Sequence, residues 1–419
     1  MVLIMGSVRK RGTARLTLVI AAVAATLPTT PGSAQTTRRG GSPANLPRPG
    51  FEPIVHHVGP AEMLISVDGS AIYDTNVYAT SRNGQDDGIF VLRPSVEMTL
   101  QDAGLSAHGV AYAEARQHIS VTREDAFLFG LMLDGAARFS AQHGLDAAFK
   151  FDRAVQPRSD PEARAPTTVP PRKINTVSAE LGYTARAGDV SFRLSPGADR
   201  IDFLDPAERD RDLRVYRGTV RATWQPAAPV AFFLQGFVTR RDADLRRDFG
   251  GVDRDVTTYG ALLGASREVN ARIRGSMGVG VFRSEPDDPL LKPYTGFALD
   301  GQVTWTPRAR TQITFAAFRG DVATVRVGAS GRTDTRLSAS IEQEARHNLL
   351  LSGEVGWRRS VFRGAGDKQD IVQGRVGVEY LATRRFSLFA DATLSDRAAT
   401  IPLDEFSRGL VQVGIRARL

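Results

Sequence analysis

Apolar and polar residues alternate along most of the chain between residues 62 and 419. Near the C-terminus, for example, the apolar residues Val411 and Val413 alternate with polar Gln412. Arg416 lies at a later polar position of the same alternation. A strand places successive side chains on opposite faces, whereas a helix would not hold a charged residue at every second position of an apolar run. The pattern therefore predicts β-strands almost throughout, each with one apolar and one charged face.

The connections between these runs are of two alternating kinds. Short ones, such as Asp102-Ala103, are followed by longer polar ones, such as 117–124. A meander of antiparallel hairpins would place every tight turn at one end and every long loop at the other, as in outer-membrane barrels. The runs predict about 18 strands, with about 16 as the alternative, and an even number suits a single-chain barrel.

The polar face of these strands is too charged to fill the interior of a small soluble barrel. In a wide barrel the same face can hydrate and pair its charges, while the apolar face meets lipid. Closure leaves no strand edge unpaired, which is a necessity in lipid. The sequence therefore predicts an all-β fold, a transmembrane antiparallel up-and-down β-barrel over residues 62–419. A secreted sandwich array or propeller would repeat its turn motifs at a fixed period, and the sequence shows no such repeat.

The N-terminus has the features of an export signal. Basic residues from Arg9 to Arg15 precede an apolar stretch over 16–27, and Gly32-Ser33-Ala34 supplies small residues before Gln35. The apolar stretch is too short for a membrane-spanning helix, which needs roughly 20 residues. We therefore predict a signal peptide over 1–34, cleaved between Ala34 and Gln35, and a location in the outer membrane of a Gram-negative bacterium. Residues 35–61 are rich in proline and glycine, which predicts a flexible periplasmic segment.

Several catalytic classes are excluded by what the chain lacks. It has no cysteine, none of its lysines follows a glycine, and none of its histidines precedes a glutamate. Thiolate chemistry, Gly-Lys phosphate-binding loops and His-Glu-x-x-His zinc sites are therefore excluded. Ser106, His108 and Glu114 share one strand face, but a polar lumen wall explains them without catalysis. We expect no enzyme activity, no cofactor and no metal site, and the absence of a basic stripe interleaved with aromatics argues against nucleic acid as a partner.

Arginine dominates the predicted lumen face. If the polar alternate positions of each strand face the lumen, ten arginines and four glutamates point inward, Glu114 among them. The other predicted lumen-lining residues are Arg93, Glu97, Arg116, Arg217, Arg221, Arg272, Arg274, Glu354, Arg358, Arg375, Glu379, Arg416 and Arg418. Fixed positive charge would raise the local anion concentration and favour anions. The alternative, that Arg and Glu pair across strands and only hold the wall apart, stays open at this point.

The long loops carry two further features. Loop 157–171 is the longest and contains five prolines, which favour extended, unpaired backbone. We predict that it is external; whether it constricts the pore stays open. Acidic pairs in or beside the loops are either solvated charges or ligands for divalent cations between lipopolysaccharide phosphates. These pairs are Asp242 with Asp244, Asp253 with Asp255, and Asp287 with Asp288.

A short motif points to a known family. The segment Tyr73-Asp74-Thr75-Asn76-Val77-Tyr78, followed by Leu92-Arg93-Pro94, resembles the opening of the putative outer-membrane β-barrel porin type 2 family. The resemblance implies an outer-membrane barrel over about residues 62–419, with some relatives associated with polysaccharide export and no catalytic residues to carry over.

The motif residues also have a local chemistry. Asp74 and Asn76 stand where a strand gives way to a loop, and their side chains can bond backbone amides two residues on. The alternative is a cation site that Asp74 and Asn76 share with Asp86 and Asp87 at the other end of that loop.

The end of the chain predicts how the barrel reaches its membrane. Alternate apolar residues up to the C-terminus resemble the assembly signal that the barrel-insertion machinery recognises, although the final residue is Leu419 where that signal usually has an aromatic. We therefore expect outer-membrane lipid, lipopolysaccharide and the assembly machinery as partners; the oligomeric state stays open.

Three functions are compatible with this sequence. The leading hypothesis is a porin-like channel for passive passage of small solutes, with anions as the candidate class. The second is a polysaccharide export conduit that works with periplasmic partners through residues 35–61. The third is a non-transporting surface or structural barrel. Rings along the lumen would favour sugar passage because sugars stack on them, and Phe282 and Phe362 have lumen parity.

Overall fold

The computed structural model describes residue 43 and residues 46–419, except 164–165, 228, 268–271 and 327. The predicted signal peptide and its cleavage site lie outside the described residues. The same is true of most of the segment between Gln35 and Asn45. Among the described residues, no helix is both long and apolar enough to cross a membrane.

The described residues form one antiparallel sheet of nineteen strands. The strands are β1 (His56–Val58), β2 (Ala61–Asp74), β3 (Asp87–Asp102), β4 (Leu105–His118), β5 (Ala126–Arg138), β6 (His143–Val155), β7 (Lys173–Ala187), β8 (Val190–Phe203), β9 (Leu213–Ala227), β10 (Val230–Ala243), β11 (Val256–Arg267), β12 (Ile273–Pro286), β13 (Tyr294–Arg308), β14 (Thr311–Val322), β15 (Gly331–Arg346), β16 (Leu349–Arg363), β17 (Lys368–Leu381), β18 (Phe386–Ala399) and β19 (Phe406–Arg418). Each strand from β2 to β19 pairs with the next, and β19 pairs back with β2. The predicted closed barrel of 18 strands is therefore confirmed.

The last strand closes the barrel over nine residue pairs, from Leu410 opposite Asp74 to Arg418 opposite Ser66. The short strand β1 pairs with the first residues of β2, where β19 has ended. The side-chain Nε2 of His56 lies 3.1 Å from the carbonyl oxygen of Leu419, which ties β1 to the end of the chain.

The alternation of the sequence becomes an inside and an outside of the barrel. On β19, Val411, Val413 and Ile415 are each more than half exposed on the outer surface, while Gln412 and Arg416 line the interior. Exposed apolar residues in such numbers would be a liability in water, but they suit a surface that faces lipid. Closure satisfies the backbone hydrogen bonds of every strand edge from β2 to β19, as a lipid environment requires.

The two ends of the barrel differ as predicted. At the turn end, connections are tight; Gly104, with φ +85°, makes the turn between β3 and β4, where an L side chain would be strained. At the loop end, the connections are long and include three short 3₁₀ helices, Thr122–Glu124, Pro206–Arg211 and Pro402–Asp404. Both the first barrel strand and the last have their free ends at the turn end.

One part of the inner wall is apolar. Phe233, Leu262, Phe282 and Ala298 form a buried cluster on strands β10 to β13. A Cβ atom built on Gly264 would lie 2.4 Å from the ring carbon Cζ of Phe233, so glycine is needed for the ring to lie flat on the strand. The rings are thereby packed against the wall and do not project into the lumen.

Candidate functional site

The barrel encloses a continuous interior cavity of about 3270 Å³. Most of the predicted lumen-lining residues lie on its wall: Arg93, Glu97, Arg116, Arg217, Arg221, Arg274, Glu354, Arg358, Arg375, Glu379 and Arg416. The other two lie at the turn end. Arg272 is exposed in the turn before β12, and its carbonyl accepts a hydrogen bond from Thr306 N at 2.6 Å. Arg418 pairs with Glu379, with Nη2 2.9 Å from Oε1.

The charge on this wall differs from the sequence prediction. Sixteen arginines line the cavity, but so do sixteen aspartates and glutamates. The predicted excess of arginine is therefore wrong for the lumen as a whole. The missed carboxylates include Asp68, Asp146 and Asp391, which have the same strand parity as the arginines beside them.

Most of these arginines pair with carboxylates, which lie on the same strand, on a neighbouring strand or farther along the wall. Arg416 Nε lies 2.8 Å from Asp68 Oδ1 across the β19–β2 seam, and Arg193 Nη1 lies 2.6 Å from Asp146 Oδ1. Arg217 pairs with Asp199 in the same way. The alternative interpretation of the lumenal arginines, that they hold the wall apart, thus fits much of the barrel.

The loop between β6 and β7 turns into the barrel. Its residues Pro157, Arg158, Ser159 and Asp160 line the interior cavity. The guanidinium of Arg158 is buried, pairs with Glu124 at 2.5 Å and donates a hydrogen bond to the carbonyl of Val169 at 2.6 Å. Loop 157–171 does lie at the loop end as predicted, but its first half is folded inward and fixed there.

The tip of this loop reaches a distant part of the wall. Glu162 Oε1 lies 2.9 Å from Arg332 Nη1 on β15. Arg326 Nη2 donates to the carbonyl of Pro161 at 3.1 Å, and Arg397 Nη1 on β18 donates to the carbonyl of Ser159 at 3.2 Å. Strands β6 and β7 are at least six strands away from β15 and β18 in either direction around the barrel. The loop therefore narrows the lumen, and this narrow region is called the constriction below.

Arginines are concentrated on the wall of the constriction. Arg336 on β15 and Arg358 on β16 stand directly opposite each other in the strand register, and both line the cavity. Arg332 and Arg336 share one wall carboxylate, Asp334, at 3.0 and 2.8 Å. Two like charges opposite each other in a sheet are unfavourable, so this pair needs an explanation beyond wall stability.

Several aromatic side chains of the barrel make cation–π contacts with arginines. The guanidinium carbon of Arg326 lies 3.7 Å from the ring centroid of Phe362, and that of Arg221 lies 3.5 Å from the ring of Phe233. Such contacts hold a cation in place over a ring face. Phe282 and Phe362 are only 1% exposed, so neither predicted ring is available to stack on a sugar.

The segment before β1 crosses the turn end of the barrel. Pro43 is buried and lines the cavity, and Arg48 Nε lies 3.6 Å from Glu344 Oε2 at the end of β15. Arg384, in the turn before β18, donates from Nε to the carbonyl of Glu52 at 3.1 Å. The sequence predicted only a flexible lead-in here, and the structure adds contacts that narrow the turn-end mouth.

The comparison with known families agrees with this architecture. The family model described as Putative beta-barrel porin 2 matches residues 48–419. The chain belongs to this family. It is an outer-membrane β-barrel of the porin type, as the motif at Tyr73–Tyr78 predicted.

Solved barrels show a more distant likeness, and none of the curated proteins matches this chain. OccAB3 from Acinetobacter baumannii is 9% identical, with a TM-score of 0.45, and the alignment covers 86% of this porin-family chain and all of the other. OpdL from Pseudomonas aeruginosa is 11% identical, with a TM-score of 0.41 and coverage of 86% and 100%. OpdK from the same organism is 9% identical, with a TM-score of 0.43 and coverage of 85% and 99%.

In this porin-family barrel, the motif residues secure the seam. Asp74 accepts a hydrogen bond from Asn76 N at 2.9 Å, two residues on as predicted, and pairs with Arg408 on β19. Asn76 departs from the prediction, because its side chain bonds the backbone of Thr80, four residues on, and the carbonyl of Ser407 at 3.1 Å. Two motif side chains thus join β2 and the following loop to the start of β19.

The other motif residues pack around this seam. Val77 is buried, the ring of Tyr78 lies under the guanidinium of Arg158, and Tyr73 donates to Asp86 Oδ2 at 2.8 Å. Asp87 accepts hydrogen bonds from the backbone of Ser120 and Val121. Because these aspartates have separate partners, the structure favours the turn role over the cation site.

The acidic loop pairs are likewise engaged with the protein. Arg240 binds Asp242, Asp255 and Asp287, at 2.5, 3.2 and 2.8 Å. Asp288 accepts hydrogen bonds from the backbone of Leu290 and Asp253, which hold the pKa of its carboxyl below the usual range.

Three further acids, Asp202, Asp212 and Asp244, place one carboxylate oxygen each within 4.8 Å of the others. Arg200 binds both Asp202 and Asp244, at 2.8 and 3.1 Å, and Asp212 accepts from Phe203 N. These interactions explain why the three carboxylates lie close together, and the explanation needs no bound cation.

The candidate catalytic residues are not brought together. His108 contacts carboxylates on the two neighbouring strands: its Nδ1 lies 3.1 Å from Asp134 Oδ1, and its Nε2 lies 3.1 Å from Glu97 Oε1. Glu114 instead pairs with Arg93 and Arg116. The expectation that the protein is not an enzyme stays a prediction.

Proposed function

We propose that this barrel is a channel for passive passage of small anionic solutes. The observation that supports the proposal best is the register pair of Arg336 and Arg358, whose like charges face each other on the constriction wall. As in other outer-membrane barrels, the loop end would face the outside and the turn end the periplasm.

The charge balance of the rest of the wall limits this selectivity. Paired charges elsewhere in the lumen give little net field, so the preference for anions arises at the constriction. At physiological salt the Debye length is about 8 Å, and a wall charge acts only on ions that pass close to it. The inward loop narrows the lumen beside these arginines, so we expect a modest anion preference.

The polysaccharide-export alternative receives less support. It calls for rings that a passing sugar can stack on, and the two that the sequence suggested are covered. Contacts with lipopolysaccharide and with the assembly machinery stay predictions.

Solute flux tests the proposed function. In liposomes that contain the protein, we expect gluconate to enter faster than glucose of similar size. The double variant Arg336→Gln with Arg358→Gln should remove most of this difference, because two fixed charges leave the constriction.

The matched control is Arg359→Gln. Arg359 is the chain neighbour of Arg358, but it alternates to the other face and pairs with Asp370 at 2.8 Å. The control should therefore keep the flux ratio. Equal flux of gluconate and glucose through the unmodified protein would contradict the proposal.

A further inference from the structure

We propose that Arg336 and Arg358 form a saturable binding site for a small oxyanion group, a phosphate or a carboxylate, within the constriction. The inference rests on the proposed function and adds that the solute is held on its way through. A channel that only attracts anions would need no such site.

The backbone register supplies the geometry of the site. Arg336 and Arg358 are directly opposed residues on neighbouring antiparallel strands, and both line the cavity. Opposed residues on one face of such a pair have Cβ atoms about 4.5–5.5 Å apart. Two guanidinium groups that start from this spacing can donate to the oxygens of the same anion, since each presents a planar fork of N–H groups.

The hydrogen-bond inventory leaves donors for a ligand. Arg336 uses Nη2 to bind Asp334 Oδ2 at 2.8 Å, while its Nε is buried with no hydrogen-bond partner. In the described part of the chain, no carboxylate lies within ion-pair distance of the Arg358 guanidinium. Buried donors are nearly always satisfied in native proteins, so unused N–H groups in a cavity wall favour a ligand with several acceptors.

The local charges point the same way. Three arginines, Arg332, Arg336 and Arg358, stand close together, and Asp334 is the wall carboxylate among them. Asp334 is fully buried and also accepts from Ser360 Oγ at 2.9 Å, so its oxygens are already shared. The nearby Asp160, on the inward loop, accepts from Glu162 N at 2.8 Å and Gln156 Nε2 at 3.3 Å. The guanidinium pair therefore lacks a full set of protein acceptors, and an oxyanion would supply them.

The test is block of the chloride current by inorganic phosphate in planar bilayers. With the unmodified protein, added phosphate should reduce the current along a saturating curve, because a bound oxyanion obstructs chloride. Arg358→Gln should still conduct chloride, with a weaker preference for it, but need about tenfold more phosphate for half block, since one charge-assisted hydrogen bond is worth about a factor of ten. Arg359→Gln should leave the curve unchanged.

Further measurements separate the possible results. Acetate in place of phosphate distinguishes carboxylate from phosphate as the preferred group. Arg358→Lys keeps the charge but loses the planar fork of N–H groups, so its phosphate concentration for half block should fall between those of the unmodified protein and Arg358→Gln.

Phosphate binding to the purified protein, measured by calorimetry, would support the site even in a protein that does not conduct, and that result would count against the proposed function alone. A current that falls without saturation, together with no saturable binding, would overturn the site. So would an Arg358→Gln variant that retains the compact gel mobility of the folded barrel and binds phosphate like the unmodified protein.

Discussion

Deletion of residues 159–163 is expected to give the largest change in single-channel conductance. This segment carries the loop tip that crosses the lumen, while Arg158, which anchors the loop base to Glu124, is kept. Without the tip, the pore widens, and Arg332 and Arg397 lose their loop partners. We therefore expect a higher conductance in planar bilayers.

A deletion of equal length provides the control. Residues 246–250 belong to the loop between β10 and β11 and do not line the cavity. Their removal should leave the conductance unchanged. If the two deletions conduct alike, the loop between β6 and β7 does not limit the pore.

Substitution of Asp74 by Ala is expected to have the largest effect on stability. The carboxylate is fully buried, pairs with Arg408 across the seam and accepts from Asn76 N. Breaking a buried ion pair by removing one partner costs about 3–5 kcal/mol, because the other charge stays buried without compensation. The barrel should lose its compact gel mobility at a clearly lower temperature than the unmodified protein.

The exposed pair of Arg359 and Asp370 provides the comparison. An exposed ion pair contributes about 0–1 kcal/mol, so Asp370→Asn should change the unfolding temperature very little. A similar effect of the two substitutions would show that the seam contacts of Asp74 do not hold the barrel closed.

The strands could be predicted from sequence because a lipid-facing barrel leaves a period of two in every strand. Their ends were less well determined. Strand β11, for example, begins at Val256, after the acidic residues Asp253 and Asp255. The side chain of Asp253 accepts a hydrogen bond from the backbone N–H of Asp255, and the side chain of Asp255 accepts one from the backbone N–H of Ala243 at the end of β10. No apolar alternation records such contacts.

Parity showed which side chains face the lumen, but it did not show their partners. Arg416 and Asp68 are 348 residues apart in the chain and meet only because the first and last strands pair. The sequence prediction counted the arginines on the inner face without extending the same parity to aspartates such as Asp68 and Asp391. For that reason it overestimated the positive charge of the lumen.

The inward course of the loop between β6 and β7 left no periodic signal. Glu162 and Arg332 are 170 residues apart, and their contact depends on the curvature of the closed barrel. Proline content indicated extended backbone but not its direction. The constriction, and the roles of Arg332, Arg336 and Arg397 in it, therefore became visible only in the structure.

The reversal potential of the unmodified channel in a KCl gradient tests the central claim most directly. At about 0.1 M salt the Debye length is about 10 Å, and at about 1 M it is about 3 Å. If the arginines of the constriction select the permeant ions, the potential should have the sign of a chloride preference at low salt and should approach zero at high salt. A potential near zero at low salt, or one with the sign of a potassium preference, would contradict the account.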